Sequence, residues 1–127
     1  MNQSRHPNLN SLWGALTIEE LFRNGVEYFC IAPGSRSAPL TAAAALNKRA
    51  KTFVHFDERG LAFHALGFVS ATRKPAALIC TSGTAVANFF PAIIESSPAR
   101  PAWSHDALCP PRGRRAAIIF PSFSPDA

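Results

Sequence analysis

Three times in the first hundred residues, a short apolar run rich in strand formers ends in a loop of small polar residues and passes into apolar positions at helical spacing. The runs are Tyr28 to Ala32, Thr52 to Phe56 and Ala76 to Thr81. Each is too short for a helix and is bounded by glycine, proline or an acidic residue. Strands alternating with helices build a parallel sheet covered on both faces. The expected fold class is therefore α/β, a three-layer parallel sheet with helices on both faces. In such sheets ligands bind outside the carboxyl ends of the strands, so the three strand-to-helix loops are where chemistry is expected.

The helices follow from spacing and punctuation. Ala15, Ile18, Leu21 and Phe22 share one face of a helix from Asn10 that Gly25 stops. Ser37 is placed to cap a second helix, with Pro39 in its first turn and an alanine-rich body through Arg49. Asp57 is placed to cap a third, with Leu61, Ala65, Phe68 and Val69 on one face and Pro75 after its end. Val86, Phe89, Phe90, Ile93 and Ile94 form the clearest apolar stripe, predicting a helix that opens at the third loop.

From Pro101 the pattern changes. Five of the eleven prolines and the run Arg112-Gly-Arg-Arg115 fall between Pro101 and Ala127. Ala116 to Phe120 has strand composition, but Pro110-Pro111 and Pro121 leave it no clear place in the βα rhythm. The expected organisation is one domain over residues 1–100 and a divergent, disordered tail over 101–127.

Composition excludes several classes. The net charge of +5 is spread over single residues and pairs, with no basic stripe interleaved with aromatics, so no nucleic-acid partner is expected. Cys30, Cys80 and Cys109 are an odd number, and the first two sit in apolar runs, which suits neither a disulfide framework nor a metal cluster. No apolar stretch approaches the roughly 20 residues that span a bilayer. A soluble, cytoplasmic protein is expected.

The loops carry the candidate chemistry. Pro33-Gly-Ser-Arg-Ser37 offers two hydroxyls and, in Arg36, a planar fork suited to a carboxylate or phosphate. In His55-Phe-Asp-Glu-Arg-Gly60, helix capping accounts for Asp57 and leaves Glu58 as the extra acid, able to share a proton with a ligand nitrogen in a cleft with little water. Thr81-Ser-Gly-Thr-Ala85 offers free N–H groups and close backbone approach at Gly83, without the pattern of a P-loop or a dinucleotide fingerprint. Each loop taken alone also has a plain structural reading: a capped turn, a surface glutamate paired with Arg59 or a nearby lysine, and a capped helix start.

Together, and in this order, Ala-Pro-Gly-Ser-Arg-Ser-Ala-Pro-Leu, His-Phe-Asp-Glu-Arg-Gly-Leu and Ile-Cys-Thr-Ser-Gly-Thr-Ala-Val-Ala-Asn closely resemble the amino-terminal, pyrimidine-binding domain of the 2-succinyl-5-enolpyruvyl-6-hydroxy-3-cyclohexene-1-carboxylate synthases. These are thiamine-diphosphate transferases of menaquinone biosynthesis. The resemblance covers about the first four-fifths of the chain. It implies decarboxylation of 2-oxoglutarate on thiamine diphosphate and addition of the succinyl unit to isochorismate, with the cofactor carrying the hard step. It further implies that Glu58 hydrogen-bonds the aminopyrimidine, that Ser35 and Arg36 meet the substrate's carboxylate side, and that Thr81, Gly83, Thr84 and Asn88 line the cofactor.

The same resemblance implies a homo-oligomer whose site lies between two subunits. It also places the Mg2+ and diphosphate ligands in a domain this sequence does not contain, so no metal ligand is expected here. After Arg100 the family continues with another strand and a Thr-Ala-Asp-Arg-Pro-like loop that this chain lacks. The expectation is a truncated or frameshifted synthase, inactive in isolation. The alternative is a non-catalytic binding or assembly module that uses the same loops for a small anion or a partner chain.

Overall fold

The computed structural model describes residues 8–96 and the backbone of residues 117–119. Helix α1 (Leu9–Arg23) starts where the Asn8 side chain accepts from Ser11 N–H at 2.8 Å. It stops at Gly25, whose φ of 84° lets the Gly25 and Val26 N–H groups donate back to Phe22 and Leu21 carbonyls, both at 2.9 Å. That pair of bonds satisfies carbonyls the helix end would otherwise leave open. Strand β1 (Tyr28–Ile31), helix α2 (Ala38–Leu46), strand β2 (Lys51–Val54), helix α3 (Glu58–Thr72) and strand β3 (Ala76–Ile79) follow in the expected alternation. Two turns of 3-10 helix (Gly83–Ala85 and Ala87–Phe89), helix α4 (Phe90–Glu95) and strand β4 (Ala117–Ile119) complete the described chain.

The sheet is parallel throughout, in the order β2-β1-β3-β4. Side chains alternate across it. Phe29, Ile31, Ala77 and Ile79 face a layer containing Ile18 of α1 and Leu40 and Ala44 of α2. Cys30, Ala76, Leu78 and Cys80 face Leu61, Ala62, Ala65 and Val69 of α3, together with Phe89 and Ala92. Helices thus cover both faces, as the alternation predicts. Phe29 and Phe89, one on each side, are fully buried, each worth about 1.5–3 kcal/mol relative to exposure.

Three local expectations are corrected. The helix predicted to open at the third loop is instead two 3-10 turns and the six-residue α4. Pro91 lies in the middle of the apolar stripe and has no N–H to return to Ala87, so the α-helix begins only around it. Helix α2 ends at Leu46 rather than Arg49, because Asn47 turns its side-chain oxygen onto Arg49 N–H at 3.0 Å and draws the backbone out of the helix. Ser37 stands at the start of α2 but makes no side-chain cap; its hydroxyl points back into the loop.

The run at Ala117–Ile119 does have a place in the sheet: it extends the order beyond β3, with Ala77 opposite Ala117 and Ile79 opposite Ile119. The remainder of the expected disordered tail, residues 101–116 and 120–127, lies outside the described residues. Among the described residues, no helix is long and apolar enough to cross a membrane.

Candidate functional site at the carboxyl edge of the sheet

The loops after β1 and β3 leave neighbouring central strands, since Ala32 N–H donates to Ile79 O at 2.8 Å where the two strands end. Gly34 then passes so close to Thr81 that a Cβ at position 34 would lie 2.4 Å from Thr81 Cβ and 2.9 Å from its Oγ1. Only a residue without a side chain fits there. One turn further, Arg36 Nη1 donates to Ser82 Oγ at 3.0 Å, tying the two loops a second time.

Beneath this contact, Ser37 is fully buried and its hydroxyl donates to Gly34 O at 2.9 Å. A buried hydroxyl left unbonded would be costly, and this bond satisfies it while closing the loop on itself. Ser35 and Arg36 are consequently displayed outward, both exposed.

The loop after β2 places two adjacent acids in different roles. Asp57 caps α3, accepting Arg59 N–H at 2.9 Å, and Arg59 also reaches it with Nε at 3.1 Å and Nη2 at 2.7 Å. Those bonds hold the Asp57 carboxyl well below the usual carboxylate range. The Arg59 partnership that a surface reading would give to Glu58 therefore belongs to Asp57. Glu58 is half-buried in the first turn of α3, with no hydrogen bond to its carboxylate among the described residues.

The charge of Glu58 reaches the end of β3. Burial first, and Glu58 second, push the Cys80 thiol up to about 11. Glu58, just past the end of β2, and Thr81 and Ser82, just past the end of β3, lie at the same carboxyl edge of the parallel sheet. Thr81 is half-buried, Gly83 has a φ of 83°, Thr84 is exposed, and Asn88 is half-buried in the second 3-10 turn. No hydrogen bond among the described residues joins Thr84 or Asn88 to Glu58 or Arg36.

The structure therefore brings Ser35, Arg36, Thr81 and Glu58 to one edge of the sheet, with Gly83, Thr84 and Asn88 following along the third loop. The sequence reading did not single out Ser82, whose hydroxyl receives Arg36, or His55, whose ring underlies the second loop. A serine in a loop carries no pairwise signal, and the histidine's role depends on Gly60, five residues on. Among the described residues, no three His, Cys, Asp or Glu side chains gather as metal ligands. An unpaired, half-buried carboxylate beside a hydroxyl- and glycine-rich wall suits a neutral heterocycle bearing a protonatable nitrogen.

Comparison with known proteins identifies the family. Residues 13–100 match the family model described as thiamine pyrophosphate enzyme, N-terminal TPP binding domain. The chain is 61% identical over 89 residues to a 2-succinyl-5-enolpyruvyl-6-hydroxy-3-cyclohexene-1-carboxylate synthase of Pelodictyon phaeoclathratiforme, covering 70% of this chain and 15% of that protein. It is 57% identical over 96 residues to the synthase so named from a Shewanella species, strain W3-18-1, covering 76% and 17%. A Chlorobium phaeobacteroides protein of the same name is 62% identical over 89 residues, covering 70% and 15%. The chain thus spans about 15–17% of the length of the curated relatives it matches.

Proposed function

This chain belongs to the thiamine pyrophosphate enzyme family, as a member of its N-terminal TPP binding domain, and from that membership we propose that it is the pyrimidine-binding part of a 2-succinyl-5-enolpyruvyl-6-hydroxy-3-cyclohexene-1-carboxylate synthase. The relatives' printed names support the reading. The observation that carries it is the division of labour at Asp57-Glu58, where the first acid takes the cap and the guanidinium and the second, half-buried in the same turn, accepts no hydrogen bond among the described residues.

In this reading thiamine diphosphate, when bound, supplies the carbanion chemistry that joins the succinyl unit of 2-oxoglutarate to isochorismate. Glu58 holds and exchanges a proton at the pyrimidine nitrogen. Thr81, Gly83, Thr84 and Asn88 form the wall beside that ring and exclude water from it. Ser35 and Arg36 orient a substrate carboxylate, Arg36 through the guanidinium edge that Ser82 leaves free. The diphosphate and its magnesium take their ligands from polypeptide outside this sequence, and the site is completed across a homo-oligomer in the cytoplasm. Residues 1–100 form the pyrimidine-binding unit, which the end of the family match at residue 100 supports.

The deciding experiment places residues 13–100 in a full-length relative and compares Glu58→Gln with the unsubstituted chimera. Proton–deuterium exchange at the thiazolium carbon of bound cofactor should slow by about 10²–10⁴-fold, the range for a positioned acid or base. Cofactor affinity should change less. An unaltered exchange rate would remove Glu58 from the chemistry, and the reading with it.

A further inference from the structure

The turn from β2 into α3 is built around the ring of His55. Its Nδ1 lies 3.1 Å from Asp57 N and 3.0 Å from Asp57 O. A neutral ring carrying its proton on Nε2 accepts the Asp57 N–H, and a ring protonated at Nδ1 donates to the Asp57 carbonyl. The contact is thus available in either charge state. Phe56 stacks on the ring, with centroids 4.8 Å apart and planes 13° from parallel.

Gly60 makes the seat for that ring. It lies in the first turn of α3, where alanine would be a far better helix former. Yet a Cβ there would stand 2.9 Å from His55 Cε1, so the ring would have to shift from its place against Asp57. A glycine that weakens the helix and a histidine that grips the turn explain one another.

We infer that His55 is a positioning residue for Glu58: seated on Gly60 and hydrogen-bonded to the Asp57 backbone, its ring fixes the turn from which the next residue's carboxylate projects. The inference deepens the proposed function and rests on it for the task of that carboxylate. The contacts themselves do not depend on it.

The test uses the full 127-residue chain carrying His55→Leu or His55→Asn. Leucine fills similar space without an acceptor, whereas the asparagine oxygen can stand where Nδ1 stood. Amide hydrogen exchange at Asp57 should speed up by about tenfold in His55→Leu, the equivalent of one hydrogen bond, and the carbon-13 signal of the Glu58 carboxyl should move. His55→Asn should restore both.

Gly60→Ala should lower the urea midpoint in the native background by driving the ring off Asp57. In the His55→Asn background, where no ring meets the new methyl group, it should raise the midpoint. Unchanged Asp57 exchange and Glu58 signal in His55→Leu, or the same effect of Gly60→Ala in both backgrounds, would overturn the inference. Should His55→Leu not fold, the Gly60→Ala comparison decides alone. The deuterium-exchange experiment on Glu58→Gln can fail while these outcomes hold, which would leave His55 fixing a carboxylate without the proposed task.

Discussion

Arg36 and Ser82, 46 residues apart in the chain, meet at 3.0 Å across the ends of β1 and β3. Both are exposed, so the bond competes with water and its net worth is small. A double-mutant cycle with Arg36→Ala and Ser82→Ala should give a coupling of about 0.5–1 kcal/mol in urea unfolding. Strictly additive effects would mean that the two loops are joined only through Gly34 and Thr81.

The Gly34 contact is far less forgiving. Gly34→Ala drives a methyl group into Thr81 Cβ, so one of the two loops must shift. The expected cost is about 1–3 kcal/mol, as for other overpacked sites. Thr81→Gly should recover part of it by removing the atoms that are struck. Chemical denaturation of the two single variants and the double variant measures both effects.

Acid stability should report on Asp57. Its bonds to Arg59 set the folded-state value below the unfolded value of about 3.9. The contribution to stability is therefore complete above the unfolded value and is lost as pH falls toward the folded one. Asp57→Asn keeps the cap but cannot titrate. Urea midpoints of the unsubstituted chain should fall more steeply than those of Asp57→Asn as pH is lowered from about 5 to 2. Parallel curves would mean that Arg59 does not hold Asp57 in solution.

Cys30 and Cys80 should behave as core residues. Burial pushes the Cys30 thiol up to about 12, and burial together with Glu58 pushes Cys80 up to about 11. Since the thiolate is the reactive form, labelling by a disulfide reagent at neutral pH should proceed only as fast as the chain unfolds. Glu58→Gln should leave that rate governed by unfolding as well. Rapid labelling of Cys80 in the native chain would show that the third loop opens on its own.

Continuous apolar runs at Tyr28 to Ala32 and Ala76 to Thr81 made strands buried on both faces legible, and helical spacing made α1 and α3 so, because each pattern is local. The proposed site was legible as three separate loops. What tied them together was not. The Arg36–Ser82 bond and the Gly34–Thr81 approach link positions far apart in the chain, and only the pairing of β1 with β3 brings them into contact. Ser37 was expected to cap because serine at that place usually does, yet its burial makes the nearby Gly34 carbonyl the better partner. The break before α4 was visible in Pro91, but the strength of the apolar stripe around it pointed the other way.

Because β1 is flanked by β2 and β3, its position in the middle of the sheet also orders how the chain assembles. The loop closed when Tyr28 meets Ala76 is about twice as long as the one closed when Tyr28 meets Lys51. A doubling adds only about 0.6 kcal/mol of closure entropy, so the second pairing is barely dearer than the first. During synthesis, however, β1 has only its β2 side to pair with until Ile79 has emerged. Over that interval Phe29 and Cys30 have one neighbouring strand each, and the nascent chain carries an open, strongly apolar strand edge of the kind that recruits unintended partners.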